Sequence, residues 1–190
     1  MSTLNETNTE DDEQAMACGL RRGDRAVVAD FYNRHAAYLA GVCSRYITNT
    51  DDAEDVFHDA MLKIVQKASS FEYRGPGSLR SWAARITANE AVTFLRKNNW
   101  GLTDIDNLPD TPDEPEPDVS DITPETIHGL IRKLPDGYRT VFNLYAIDGK
   151  SHREIATMLG IKEASSASQY HRARNMLANM INDYRKRQQH

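Results

Sequence analysis

Cysteine is scarce in this chain of 190 residues, which has only Cys18 and Cys43. The two lie far apart, with neither C-x-x-C nor zinc-ligand spacing around them, so a redox pair and a structural zinc site are excluded. Both thiols are expected to be reduced and partly buried. Long apolar runs are missing too. None approaches the roughly 20 residues needed to span a bilayer, and Met1–Glu13 is polar and acidic, without the apolar stretch of a secretory signal. The expected location is the cytoplasm, with no membrane insertion. No stretch alternates apolar and polar residues long enough for a sheet, and there is no internal repeat. A glycine loop that cradles phosphate and a nucleophile beside a base are both absent, so neither an enzyme nor a cofactor is expected.

Two segments lack positive charge. Residues 1–14 hold five acids and no Lys or Arg, and residues 99–123 hold eight acids and again no base. Between and after them the balance reverses. Residues 15–98 carry 12 Lys and Arg against 9 acids, and residues 124–190 carry 11 against 6. The overall charge of −5 therefore conceals two mildly basic modules, of the kind that phosphate-contacting proteins use. The second acidic segment contains Pro109, Pro112, Pro115 and Pro117. Proline removes backbone donors and like charges repel, so this stretch is expected to stay extended as a linker. Residues 1–14 are expected to form a disordered acidic tail.

Both modules read as helical, giving an all-α fold of two small domains. Val27, Phe31, Tyr38, Leu39, Val42 and Tyr46 recur at helical spacing. Asp51 is placed to cap a helix with Glu54 in the reciprocal position. The apolar face of that helix would be Ala53, Val56, Phe57, Ala60, Ile64 and Val65. A loop over Phe71–Ser78 follows, and Ser78 is expected to cap a helix bearing Leu79, Trp82, Ile86, Val92 and Leu95 that ends near Lys97. After the linker, Thr123-Pro124-Glu125 is a helix start, and Leu134-Pro135-Asp136-Gly137 breaks that helix.

The run Ser151–Leu177 carries the sharpest signal. Ser151-His152-Arg153-Glu154 is a capping box, Gly160 supplies a tight turn, and a second helix is expected to start near Ser165 or Ser166. Ala167, Tyr170 and Leu177 are expected inward, and Ser168, His171, Arg172 and Asn175 outward. Such side chains donate to phosphates and base edges in a major groove.

Asp51, Asp52, Glu54, Asp55, His58 and Asp59 are of metal-ligating types. However, an acid run at a helix start favours the dipole and is usually solvated, so no metal is expected.

Together these motifs resemble the extracytoplasmic-function type of RNA polymerase sigma factor. Leu134-Pro135-x-x-Tyr138-Arg139-x-Val141-Phe142, Ser151-x-x-Glu154-Ile155-Ala156-x-x-Leu159-Gly160 and His171-Arg172-Ala173-Arg174-x-x-Leu177 look like region four (residues 124–190). Asp52-Ala53-Glu54-Asp55-Val56-Phe57-His58-Asp59, and Ser78-Leu79-Arg80-Ser81-Trp82-Ala83-x-Arg85-Ile86-x-x-Asn89, look like region two (residues 15–98). The resemblance implies that Asp52, Glu54, Asp55, Phe57 and Asp59 meet the clamp helices of polymerase core. It implies that Phe71, Tyr73, Arg74, Arg80 and Asn89 capture and read the minus-ten element. Ser165, Ser166, Ser168, His171 and Arg172 would read the minus-thirty-five element while an apolar surface meets the flap. An anti-sigma factor is a further implied partner. Many members have Gly-Thr-Val and a basic residue where this chain has Ser165-Ser166-Ala167 and Ser168. The alternative reading is a helix-turn-helix regulator that binds promoter DNA as a dimer without polymerase core.

Overall fold

The structure is a computed structural model that describes residues 3–98, 119 and 121–188, with side chains from residue 12 onward. The Pro-rich part of the acidic linker lies outside the described residues. Among the described residues there is no strand, and no helix is long and apolar enough to cross a membrane. The chain divides into one unit of Met1–Ser44 and Asn49–Ala91, and another of Arg45–Thr48 and Val92–His190.

The first unit begins with helix α1, Thr3–Arg22, which runs through the segment expected to be a disordered tail. Met16, Ala17 and Leu20 are buried and fall at the i, i+1, i+4 positions of one helical stripe. That apolar stripe gives α1 a face to pack, which the acids before it obscure in the sequence. Helix α2, Arg25–Tyr46, starts behind Asp24, whose carboxylate accepts from the Ala26 amide at 2.9 Å. Phe31, Leu39 and Val42 face the core. Tyr38 does not: it stays 38% exposed and lies beneath the Arg80 guanidinium, 3.7 Å from the ring centre.

Helix α3, Thr50–Lys67, is capped by Asn49 rather than Asp51, the Asn49 side chain accepting from the Asp52 amide at 3.0 Å. Asp51 and Asp52 then sit in the first turn, where they favour the macrodipole. Val56, Phe57, Ala60, Met61 and Ile64 are its buried residues. A 3₁₀ turn, Ala68–Ser70, leads into the loop, and helix α4 spans Ser78–Lys97, ending where the sequence suggests.

The second unit opens its helices with α5, Pro124–Ile131, capped by Thr123 with proline at the start, as read from the sequence. The residues just before it also pack: Ile122 joins the core, and Asp121 pairs with Arg185, whose Nε donates at 3.2 Å. Helix α6, Asp136–Phe142, follows the Leu134-Pro135 break and continues into a π turn, Asn143–Ile147. Helix α7 is His152–Leu159 and α8 is Glu163–Gln188. The core joins Ile122, Leu130, Ile131, Leu134, Tyr138, Ala173, Leu177 and Ile181. Arg139 is almost wholly buried there, donating to the Leu134 carbonyl at 2.8 Å and pairing with Asp136, so its charge is satisfied in place.

Candidate nucleic-acid interface

Helices α7 and α8 form the helix-turn-helix. The Ser151 hydroxyl accepts from the Glu154 amide while the Glu154 carboxylate accepts from the Ser151 amide, completing the capping box. These bonds hold the Glu154 carboxyl below its usual range, the backbone donor of Ser151 acting most strongly. Gly160 ends α7 at φ +73°, a left-handed conformation that L side chains resist. Ser166 Oγ lies 3.0 Å from His152 Nδ1 and ties the two helices together. The His152 ring stacks on Tyr145, centres 4.4 Å apart, and partial burial lowers its pKa.

Helix α8 starts at Glu163, two to three residues earlier than expected, and its buried face differs from the expected one. Ser165, Gln169 and Arg172, at i, i+4 and i+7, share a buried strip. Ser166, Ala173 and Leu177 form the adjoining core strip. Ala167, expected inward, is exposed, and Tyr170 is half-buried. Arg172 and Asn175, expected outward, are therefore buried, and so are Ser165 and Ser166, named with them for the minus-thirty-five element. Ser166 is a brace between helices. The accessible strip is Ala164, Ala167, Ser168 and His171, the last bonded to Asn175 at 3.1 Å.

In the first unit the loop between the 3₁₀ turn and α4 bears the other candidate set. Tyr73 is half-buried, and Arg74, Arg80 and Asn89 are exposed. Arg74 pairs with Glu72 at 3.1 Å, both side chains largely in solvent, where such a pair holds little energy. Phe71 differs from the expectation of a free platform. It is 2% exposed and packs on Trp82, ring centres 5.4 Å apart, so it anchors the loop in the core. Ser78 is the first residue of α4 and its hydroxyl accepts from the Arg74 amide. The capping role expected of it falls to Glu13 of α1, whose carboxylate accepts from the Gly77 amide at 2.7 Å and from the Leu79 amide.

On α3, Glu54, Asp55, His58 and Asp59 are exposed, Asp52 is half-buried, and the strip continues to Leu62, 62% exposed. Phe57, expected on this docking face, is buried against Tyr32 and His58 instead. Its place in the Val56, Phe57, Ala60 and Ile64 period puts it on the core side. Leu62, an exposed apolar side chain beside this strip, is absent from the sequence reading. The phase was available, since 55, 59 and 62 fall on one face.

Comparison with known proteins gives two family matches. The profile of sigma-70 region 2 matches residues 31–101, and that of sigma-70 region 4 matches residues 125–177. The chain is 28% identical to the ECF RNA polymerase sigma factor SigW of Bacillus subtilis over 177 residues, covering 86% of this chain and 94% of that one. It is 26% identical to the ECF RNA polymerase sigma-E factor of Haemophilus influenzae over 182 residues, covering 89% and 95%. A solved structure of CnrH in complex with the cytosolic domain of CnrY aligns over 89% of this chain and 96% of that one, at 22% identity and a TM-score of 0.48. A dimeric helix-turn-helix regulator would account for the second match alone. With both regions present in order and together spanning most of its length, the chain belongs to the sigma-70 family, in the extracytoplasmic-function group of RNA polymerase sigma factors, which direct promoter-specific transcription and are not enzymes.

Proposed function

We propose that this protein works in the cytoplasm, bound to RNA polymerase core, and divides promoter recognition between its two units. The first unit melts and reads the minus-ten element. Tyr73, Arg74, Arg80 and Asn89 lie on or beside one loop and the helix that follows it. Aromatic stacking and cationic contact to phosphates are the means by which single strands are held. Phe71 supports that loop from below. The observation that carries this reading is the loop itself: an aromatic and two exposed arginines around Gly75 and Gly77, both at positive φ, anchored by buried Phe71 against half-buried Trp82.

The second unit reads the minus-thirty-five element through α8. Ser168 and His171 lead from its accessible strip, with Ser165 and Arg172 one step round the helix. Ser166 acts from within, as the brace that holds α8 on α7. Asp52, Glu54, Asp55 and Asp59 on α3 face the polymerase clamp helices, with Leu62 as an apolar centre inside an acidic rim. The apolar surface of the second unit meets the flap. An anti-sigma factor that covers these faces would hold the protein inactive.

The test mixes the purified protein with bacterial RNA polymerase core and transcribes a genomic fragment library. Discrete transcripts that require both components are expected, and the sequences upstream of their starts supply the two elements. A protein that forms no complex with core, and footprints a palindrome on free duplex, would be the dimeric regulator instead.

A further inference from the structure

Helix α1 presents one stripe, Glu13, Met16, Ala17, Leu20 and Arg21, at the i, i+3, i+4, i+7 and i+8 positions of a single face. Its centre is apolar and buried, and each charged end holds one mouth of the Phe71–Ser78 loop. At the entrance, the Arg21 guanidinium donates to the Ala68 carbonyl at 3.3 Å and to the Phe71 carbonyl. At the exit, the two oxygens of the Glu13 carboxylate accept separately from the Gly77 and Leu79 amides. Those amides belong to the start of α4, which has no partner for them inside the helix. Between the two mouths, the Ser78 amide donates to the Gly75 carbonyl at 3.1 Å, the Arg74 amide to Ser78 Oγ at 3.3 Å, and the Arg74 guanidinium to Glu72. Gly75 and Gly77 sit at φ +118° and +79°, backbone shapes that L side chains rarely adopt and that glycine can readily leave.

We infer that Glu13 is a positioning residue for strand capture: its carboxylate fixes the exit of the Phe71–Ser78 loop and so sets where Tyr73 and Arg74 stand when promoter DNA opens. The inference rests on the proposed role of that loop. Glu13 itself touches no DNA in this scheme. It acts through the Gly77 and Leu79 amides, while Arg21 fixes the opposite end. A charged acceptor taking two backbone donors is among the stronger hydrogen-bonding arrangements, and removing it leaves two amides and two positive-φ glycines free to rearrange.

The experiment uses full-length protein assembled with polymerase core, on a promoter fragment recovered by the transcription assay, and compares Glu13→Ala, Glu13→Gln and Tyr73→Ala. Three quantities are read: affinity for core, open-complex formation by permanganate reactivity of unpaired thymines, and amide exchange at Gly77 and Leu79. For Glu13→Ala the expected result is faster exchange at both amides and about tenfold less open complex, with core affinity within about twofold of the parent. Glu13→Gln keeps one acceptor and is expected to fall between. A purely structural role would instead weaken core binding and open-complex formation together, and that result overturns the inference. Parental open-complex formation in Glu13→Ala, with Tyr73→Ala impaired, also overturns it and leaves the loop's role standing. Parental behaviour in Tyr73→Ala removes the loop reading, and the inference with it.

Discussion

His152 Nδ1 and Ser166 Oγ meet at 3.0 Å across the turn of the helix-turn-helix, so the two helices are joined by a polar contact as well as by apolar packing. Ser166 is fully buried. Its replacement by alanine is expected to cost about 1 kcal/mol of stability, the net worth of one buried hydrogen bond. Urea unfolding followed by circular dichroism measures it.

His152 also contributes a pH dependence to stability. Burial lowers the pKa of His152 below the ordinary 6.5, against the opposing charge of Glu163. A histidine whose folded pKa is depressed takes up protons more readily when unfolded. Its contribution is therefore complete above about pH 6.5 and is lost as pH falls through the folded value. His128 is depressed in the same direction by burial and then by the charge of Arg132, and His35 by burial and then by that of Arg80. Melting temperature is thus expected to fall between pH 7.5 and 5.5. The fall should be shallower in His152→Asn, which retains a hydrogen-bonding side chain but does not titrate. An unchanged slope in that variant would remove His152 from the account.

Phe71 and Tyr73 stand two residues apart in one loop and are expected to fail in different ways. Phe71→Ala opens a cavity against Trp82 and is expected to cost about 3 kcal/mol, at the low end for a buried phenylalanine, with a shift in tryptophan emission. Tyr73→Ala, at a half-buried site, is expected to leave the melting temperature within about 2 °C, with open-complex formation as the property that suffers. Equal losses of stability in both would place Tyr73 in the core alongside Phe71.

Helix existence was legible wherever a cap or a breaker was local. Thr123-Pro124, Ser151 with Glu154, Leu134-Pro135 and Gly160 all act within a few residues, and each stands where its local chemistry indicates. What a single stretch could not reveal was any relationship across the chain. Glu13 caps a helix 64 to 66 residues away, so no window contains both partners. The start of α8 at Glu163 was hidden because Ser165 and Ser166 are both good cap residues. The sequence places Ala167 inward and Arg172 outward, and the structure has the reverse, because small and polar side chains in this stretch leave the apolar stripe undefined. Phe57 differs: the apolar period of α3 already places it in the core, where it lies, and only the family motif puts it among the docking candidates.

Gly160 offers a test of backbone conformation alone. An added Cβ would meet nothing within 4 Å, so a substitution there costs only what the φ of +73° demands. Alanine is expected to lose about 1 kcal/mol. Asparagine, which tolerates the left-handed region, should lose less, and valine more. Stability measured by chemical unfolding should follow the order Gly, Asn, Ala, Val. An alanine variant as stable as the parent would mean that the α7–α8 turn relaxes, and recognition by α8 would then tolerate a looser hinge.

The proposed docking role of the acidic strip of α3 can be tested apart from the stability of the fold. Asp55 and Asp59 lie one turn apart on an exposed face, with Leu62 continuing it. Reversing both charges in Asp55→Lys/Asp59→Lys removes no core contact, so stability is expected to stay within about 0.5 kcal/mol. Affinity for polymerase core is expected to fall by about tenfold or more, chiefly through slower association, and to become less sensitive to added salt. Leu62→Ala should also weaken docking, but its effect should persist at high salt, because apolar burial is not screened. Titrating core against labelled protein at two ionic strengths distinguishes the two. If the double reversal bound core as tightly as the parent at low salt, the docking surface would have to lie on another face of the first unit.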